Sequence, residues 1–291
     1  MCDQDTYEDA IAYQLKNKEL SRRQFGALGL GAGLVAMLPP VANAAEVTES
    51  EVEIKTPDGT CDAHFVHPAK GSAPAVLVWP DIFGLRPAFR QMGKRLAESG
   101  YSVLTINPFY RVKHAPTGAS TDFQDPAKRD GLMKLMGSLT AETNVTDAKA
   151  FIAWLDKQSA VDTKKKIGTT GYCMGGPLVM RTAAAVPNRV GGAATFHGGG
   201  LVTDKPDSPH LLIPKMKSQM LICIADNDDQ KEPNSKTTLK QAFDANHLKA
   251  EVEVYKGAQH GWCPPDSGVY NMDLAEKAWA RLLATWKTAL V

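Results

Sequence analysis

Lys166-Ile-Gly-Thr-Thr-Gly-Tyr-Cys-Met-Gly-Gly-Pro-Leu-Val-Met-Arg-Thr-Ala-Ala-Ala185 is the stretch on which the reading of this chain turns. Its opening, Lys166 to Gly171, has the length of a short strand. Its close, from Gly176 on, reads as a helix with Pro177 in the first turn, where a missing N–H costs little. Between them, Gly171-Tyr172-Cys173-Met174-Gly175 sets a cysteine on a sharp strand-to-helix turn with glycine two residues to either side. Side chains at the flanks would collide with strand or helix, so small flanks let the reactive atom stand above the sheet edge. A Gly-x-Cys-x-Gly pentapeptide arises readily by chance, and its meaning rests on what surrounds it.

A strand, a glycine-flanked nucleophile and a helix make the nucleophile elbow of α/β-hydrolases, whose triad runs nucleophile, acid, base along the chain. Two later strands end where that order needs them. The apolar run Ser218–Ala225 empties into Asp226-Asn-Asp-Asp229, a polar turn. The alternating run Ala250–Tyr255 empties into Lys256-Gly-Ala-Gln-His-Gly261. The reading is a triad of Cys173, Asp228 and His260, with Asp226 and Asp229 competing for the acid's place. His197, in Phe196-His-Gly-Gly-Gly200, also ends a strand; it could line the pocket or be structural, but its place before the acid argues against it as the base. Trp262 is a pocket wall or a core residue, and Asp81 a turn former or a site residue. Cys223, amid Leu221, Ile222 and Ile224, reads as core.

The rest of the chain gives the frame. Val52–Thr56 and Cys61–Val66 flank Asp58-Gly59 as a hairpin. Ala75–Trp79 is a strand apolar throughout, Arg86–Ser99 a helix and Tyr101–Ile106 a strand. A long polar stretch from Arg111 to Asp130 reads as a loop of the kind that forms lids. Helix Thr140–Lys157, strand Val190–Phe196, helix Ser235–Asn246 and helix Tyr270–Thr288 follow. Strands alternating with helices imply a mostly parallel central sheet covered on both faces, an α/β fold in a single domain over residues 45–291.

The chain has 291 residues, 43% of them hydrophobic, and a formal net charge of +1, which leaves no basic footprint for nucleic acid. Its five cysteines show no metal-ligand spacing and their odd number argues against a complete disulfide framework. No metal and no cofactor is expected. Residues 1–44 read as a Tat-type signal peptide: Ser21-Arg-Arg-Gln-Phe25, an apolar run to Leu38, and Ala42-Asn-Ala44 as a cleavage site. The run, 13 residues from Gly26 to Leu38, is shorter than the roughly 20 residues that span a bilayer comfortably. The expected partner of the precursor is the Tat export machinery, the expected location the periplasm, and no stable membrane anchor is foreseen.

Gly-Tyr-Cys-Met-Gly-Gly at Cys173, Pro80-Asp-Ile-Phe-Gly84 after the buried strand, Pro233 after the acidic turn and Gly257-Ala-Gln-His-Gly261 together resemble the dienelactone hydrolase family of α/β-hydrolases, from about Glu49 onward. The resemblance implies a cysteine hydrolase of the carboxymethylenebutenolidase type that opens an unsaturated lactone. Cys173 would be the nucleophile, Asp228 the acid and His260 the base, and the backbone N–H groups of Ile82 and Met174 would form the oxyanion hole. Two departures stand out. Where family members carry a glutamate that contacts the resting thiol, this chain has Asp81, one methylene shorter. Where they follow the histidine with a serine and a carboxylate-binding arginine, this chain has His260-Gly-Trp-Cys-Pro-Pro265; Arg111 lies near the place of another family arginine. The expected substrate is a small lactone or ester. A broader carboxylesterase or thioesterase, and a non-catalytic ligand-binding fold, are the alternatives.

Overall fold

The apolar runs become strands, and the computed structural model, which describes residues 38–291, shows how they assemble. Val47–Thr56 (β1) and Gly59–Pro68 (β2) form the hairpin, but Thr56 pairs with Gly59, so the turn is Pro57-Asp58, one residue earlier than the expected Asp58-Gly59. Ala75–Trp79 (β3), Ser102–Ile106 (β4), Ile167–Tyr172 (β5), Val190–Phe196 (β6), Gln219–Ala225 (β7) and Ala250–Tyr255 (β8) complete an eight-stranded sheet in the order β1-β2-β4-β3-β5-β6-β7-β8. β2 pairs antiparallel with β1 and β4; every pairing from β4 to β8 is parallel. The chain leaves β3 toward β4 on one side and later returns to β5 on the other. That reversal leaves a crevice at the carboxyl ends of β3 and β5, where ligands of open α/β sheets bind.

The helices are Pro87–Glu98 (α1), Pro126–Gly137 (α2), Ala141–Leu155 (α3), Gly175–Ala185 (α4), Asp226–Lys231 (α5), Ser235–Ala245 (α6) and Met272–Ala289 (α7). Because successive strand residues point to opposite faces, β3 feeds two cores. Ala75, Leu77 and Trp79 join residues of α3, α4 and α6, whereas Val76 and Val78 join residues of α1 and α7. The second core is keyed by Trp286. A side chain at Gly192 would strike its indole at 2.7 Å and one at Gly168 at 3.2 Å, so two glycines of adjacent strands form a notch for α7.

Two further expectations are corrected. The polar stretch from Arg111 to Asp130 is not a plain loop: it holds a 3₁₀ turn, Ser120–Gln124, and the first residues of α2. The side chain of Asp125 caps α2 by accepting from Ala127 and Lys128 N–H groups, and Pro126 follows at the position where proline suits a helix. The acidic turn after β7 is likewise the short helix α5, its carboxylates lying at the positive end of the helix dipole. The pair Arg22-Arg23 and the apolar run up to Met37 lie outside the described residues. Among the described residues no helix is long and apolar enough to cross a membrane.

Candidate active site

The elbow forms where the sequence places it, between β5 and α4, and its backbone explains its glycines. Cys173 has φ 54°, a left-handed conformation that a non-glycine residue adopts at a cost of about 1–3 kcal/mol. A Cβ on Gly171 would fall on the carbonyl oxygen of Gly175, and one on Gly175 on that of Trp79. The turn is held by Cys173 N–H donating to the Phe196 carbonyl (3.1 Å) and Gly176 N–H donating to the Cys173 carbonyl (3.0 Å). Cys173 is 3% exposed and engaged in a disulfide, whereas Cys61, Cys223 and Cys263 are free thiols. Burial pushes those three thiols' pKa values up, which leaves them poor nucleophiles.

The three aspartates after β7 have three different partners. Asp226 accepts from Gly257 N–H and from Lys256 Nζ, both at 2.9 Å, and these bonds hold its carboxyl below the usual range. Asp229 is paired with Lys236 Nζ at 2.6 Å. Asp228 faces His260: Nδ1 lies 2.8 Å from Oδ2 and 3.0 Å from Oδ1. His260 N–H donates to the side-chain oxygen of Asn227 at 2.8 Å, so consecutive residues of α5 fix both the backbone and the ring of the histidine. With Nδ1–H donated to a carboxylate, the ring is held in the tautomer whose lone pair is on Nε2.

His197 also carries a left-handed backbone, φ 42°, and packs its ring 5.0 Å from that of His260 and 5.1 Å from Trp262. It is 1% exposed and neither ring nitrogen has a hydrogen-bond partner. Burial, reinforced by His260, pushes its pKa well below the ordinary histidine range. Trp262 is fully buried, stacked on Tyr255 at 5.3 Å, and so backs the histidines from the core.

Asp81 begins the turn after β3. Its Oδ1 accepts from Phe83 N–H (3.0 Å) and from Arg86 Nη1 (2.6 Å), and its Oδ2 from Arg86 Nη2 (3.0 Å). The Gly84 N–H closes the turn onto the Asp81 carbonyl (2.9 Å), which sets the peptide of the buried Ile82. Arg86 also binds Asp266, through Nε at 2.6 Å and Nη2 at 2.9 Å. Burial opposes the Arg86 charge, but the two carboxylates prevail and raise its pKa; burial raises that of Asp81 against the pull of Arg86. Both Asp81 oxygens accept from one guanidinium, the geometry of an ionised carboxylate. Arg86 thereby ties the Ile82 turn to the loop that follows His260. Ser120 Oγ adds a bond to the Asp266 carbonyl at 2.9 Å.

Arg111 is held elsewhere. It donates to both oxygens of Asp147 at 2.8 Å and to Asp58, and its guanidinium lies over the Tyr110 ring. Among the described residues, the apolar side chains packed with Cys173 are the buried Ile82, Phe123 and Leu132, with Phe83, Met133, Met136 and Met174 at the edge. Sequence reasoning missed Arg86, Asp266, Asn227 and the apolar face of α2. Arg86 and Asp266 are 180 residues apart, and no local pattern announces such a pair. Leu132-Met133 and Leu135-Met136 were the visible signal for α2. Among the described residues no group of acidic, histidine and cysteine side chains could hold a metal ion.

A parallel sheet with an elbow at β5 and an acid–histidine pair beyond β7 and β8 defines an α/β-hydrolase. The fold agrees with solved structures: a dienelactone hydrolase-like promiscuous phosphotriesterase from metagenomic libraries superposes with a TM-score of 0.70 over 84% of this chain and 99% of its own, at 19% identity. A dienelactone hydrolase from Anabaena variabilis gives a TM-score of 0.56 over the same shares, at 15% identity. Residues 61–290 match the dienelactone hydrolase family, and the chain belongs to it. Curated relatives include carboxymethylenebutenolidases of Pseudomonas putida, 29% identical over 80% of this chain and 93% of that protein, and of Rhodococcus opacus, 28% identical over 72% and 78%. The protein is a hydrolase of ester bonds.

Proposed function

We propose that the protein opens a lactone or an activated ester through a thioester on Cys173. The observation that carries this reading is the His260–Asp228 pair at 2.8 Å on the same sheet edge as a strained, glycine-flanked cysteine. The relatives' named activity, carboxymethylenebutenolidase, supports the substrate class. The reactive form is the reduced thiol. Its ionisation is favoured by the amino end of α4 and by His260 Nε2, which takes the proton. Sulfur then attacks the carbonyl carbon, and the N–H groups of Ile82 and Met174 receive the oxyanion. Collapse breaks the ring C–O bond, the expelled enolate takes the proton held by His260, and the acyl group stays on sulfur. Water, deprotonated by His260, cleaves the thioester and restores the thiol. An enolate leaves readily, which suits a thiol nucleophile.

The test is turnover by the reduced full chain and its Cys173→Ala variant on a dienelactone, a neutral lactone and a p-nitrophenyl ester. Hydrolysis that vanishes in the variant is expected. Turnover that persists in Cys173→Ala would remove the thioester route, and labelling of Cys173 without any turnover would favour a ligand-binding role.

We propose further that the chain is exported through a Tat-type signal and acts in the periplasm. β1 starts at Val47 and Ala45 N–H bonds the Glu98 carbonyl, so cleavage after Ala44 leaves the sheet whole. Replacement of Arg22-Arg23 by a lysine pair is expected to hold the protein in the cytoplasm; unchanged fractionation would sink the idea.

A further inference from the structure

The elbow and the turn after β3 meet backbone to backbone. A Cβ on Gly175 would lie 2.4 Å from the Trp79 carbonyl oxygen and 3.0 Å from that of Pro80, so the residues leading into Asp81 run against the start of α4. The turn itself, Asp81-Ile82-Phe83-Gly84, is fastened at its two ends by different means. Its far end belongs to Thr117, whose Oγ1 donates to the Phe83 carbonyl at 2.9 Å. Its near end is the peptide between Asp81 and Ile82. A trans peptide is planar, so its carbonyl and its N–H point in opposite directions. Gly84 N–H takes the Asp81 carbonyl at 2.9 Å, inside the turn, and the Ile82 N–H is thereby aimed out of it.

The Asp81 side chain holds that near end against rotation. Its Oδ1 accepts from Phe83 N–H and from Arg86 Nη1, and its Oδ2 from Arg86 Nη2. Arg86 is 4% exposed and is anchored in turn by Asp266, through Nε and Nη2. Buried bonds between charged partners are the strong ones, and a guanidinium that grips two carboxylates has little freedom left. His260 is held separately, by Asn227 and Asp228 of α5. The clamp on the turn and the clamp on the base therefore rest on different supports.

We propose that Arg86 is a positioning residue for the hydrolysis: it grips both oxygens of Asp81 while Asp266 grips it, and so fixes the peptide whose N–H, on Ile82, receives the oxyanion. The role rests on the hydrolase reading above and adds to it a residue outside the triad. A hydrogen bond to a developing negative charge weakens steeply when its donor swings out of line, and a misplacement of about 1 Å can cost about 100-fold in rate.

The test compares two reactions of Cys173 in the reduced full chain. Acylation by p-nitrophenyl acetate, read as single-turnover release of p-nitrophenol, builds an oxyanion. Alkylation by iodoacetamide, read by mass spectrometry, forms a C–S bond as iodide leaves a saturated carbon, and builds none. Arg86→Lys keeps the cation but loses the fork that spans two carboxylates. Asp81→Asn keeps an oxygen for Phe83 N–H but loses the ion pair. Each variant is expected to acylate about 10- to 100-fold more slowly than the parent and to be alkylated within about twofold of it. Parallel losses in both reactions would make the trio a general support of the site and overturn the positioning role. Acylation within about twofold of the parent would overturn it as well. Should either variant not fold, Asp266→Asn, whose side chain is 16% exposed, carries the same comparison with a smaller expected fall. If the parent is alkylated at Cys173 but releases no p-nitrophenol above the Cys173→Ala background, the hydrolase reading fails and the role of Arg86 falls with it.

Discussion

The ends of β6 and β8 present the same residue type at the same sheet edge, their rings 5.0 Å apart, and treat it in opposite ways. His260 has its Nδ1 on a carboxylate and its backbone N–H on Asn227. His197 has two bare nitrogens and a backbone in the left-handed region. Residue identity therefore does not make a base. A base needs an acceptor that fixes its tautomer and stabilises its charge, and α5 supplies that only to His260. His197 is kept neutral by burial, and a buried polar group without a partner costs about 1–3 kcal/mol.

The sharpest break would come from His260→Gln. We expect a fall in kcat/KM of about 1000-fold or more on an activated ester, measured at saturating reductant. A loss under tenfold would show that another group accepts the thiol proton. Asp228→Asn should follow at about 100- to 10,000-fold, because an amide cannot hold the same tautomer. Circular dichroism should be unchanged, and Asp226→Asn is expected to lie within about threefold of the parent.

Arg86→Met probes stability before chemistry. Removing the guanidinium leaves Asp81 and Asp266 facing one another, so denaturant unfolding should register a loss of about 3–5 kcal/mol. A loss below about 1 kcal/mol would mean that the two loops are held by other contacts.

His197→Phe should give the smallest effect and the clearest contrast with His260→Gln. Turnover is expected within about tenfold of the parent. The folded pKa of His197 is depressed, so below the unfolded value of about 6.5 the unfolded chain binds a proton that the folded chain refuses. Its contribution to stability is therefore intact above that pH and lost as pH falls, at up to about 1.4 kcal/mol per unit. His64, buried in β2 and likewise depressed by burial, acts in the same direction, so the difference between parent and variant isolates His197. The variant should lose less stability than the parent between pH 7 and pH 5. Parallel pH profiles for the two would refute a buried neutral His197.

The parts of this molecule legible in its sequence are those governed by local chemistry. Ala75–Trp79 reads as a doubly buried strand because all five residues are apolar, and the elbow reads from its glycines because they answer a clash within five residues. His260 was legible from chain order. What escaped depends on distant partners or weak patterns. Arg86 sits at the start of a helix like any cation, and nothing near it reveals that Asp266 closes over it. Asp81, read as a turn former or a site residue, is bound by Arg86, five residues away, a partner that no local pattern announces. α2 buries only Leu132 and Leu135 and carries lysines and an arginine on its other sides, which gave it the look of a loop.

The indole of Trp286 lies in a notch made by Gly168 and Gly192, and the timing of synthesis gives that contact a second meaning. A ribosome delivers the chain from its amino end, so β5 and β6 emerge long before the tryptophan that completes their packing. Until α7 arrives, the strand that leads into Cys173 has a bare groove where its neighbour belongs. The face that β5 and β6 turn toward α7 is thus packed last although both strands are made midway.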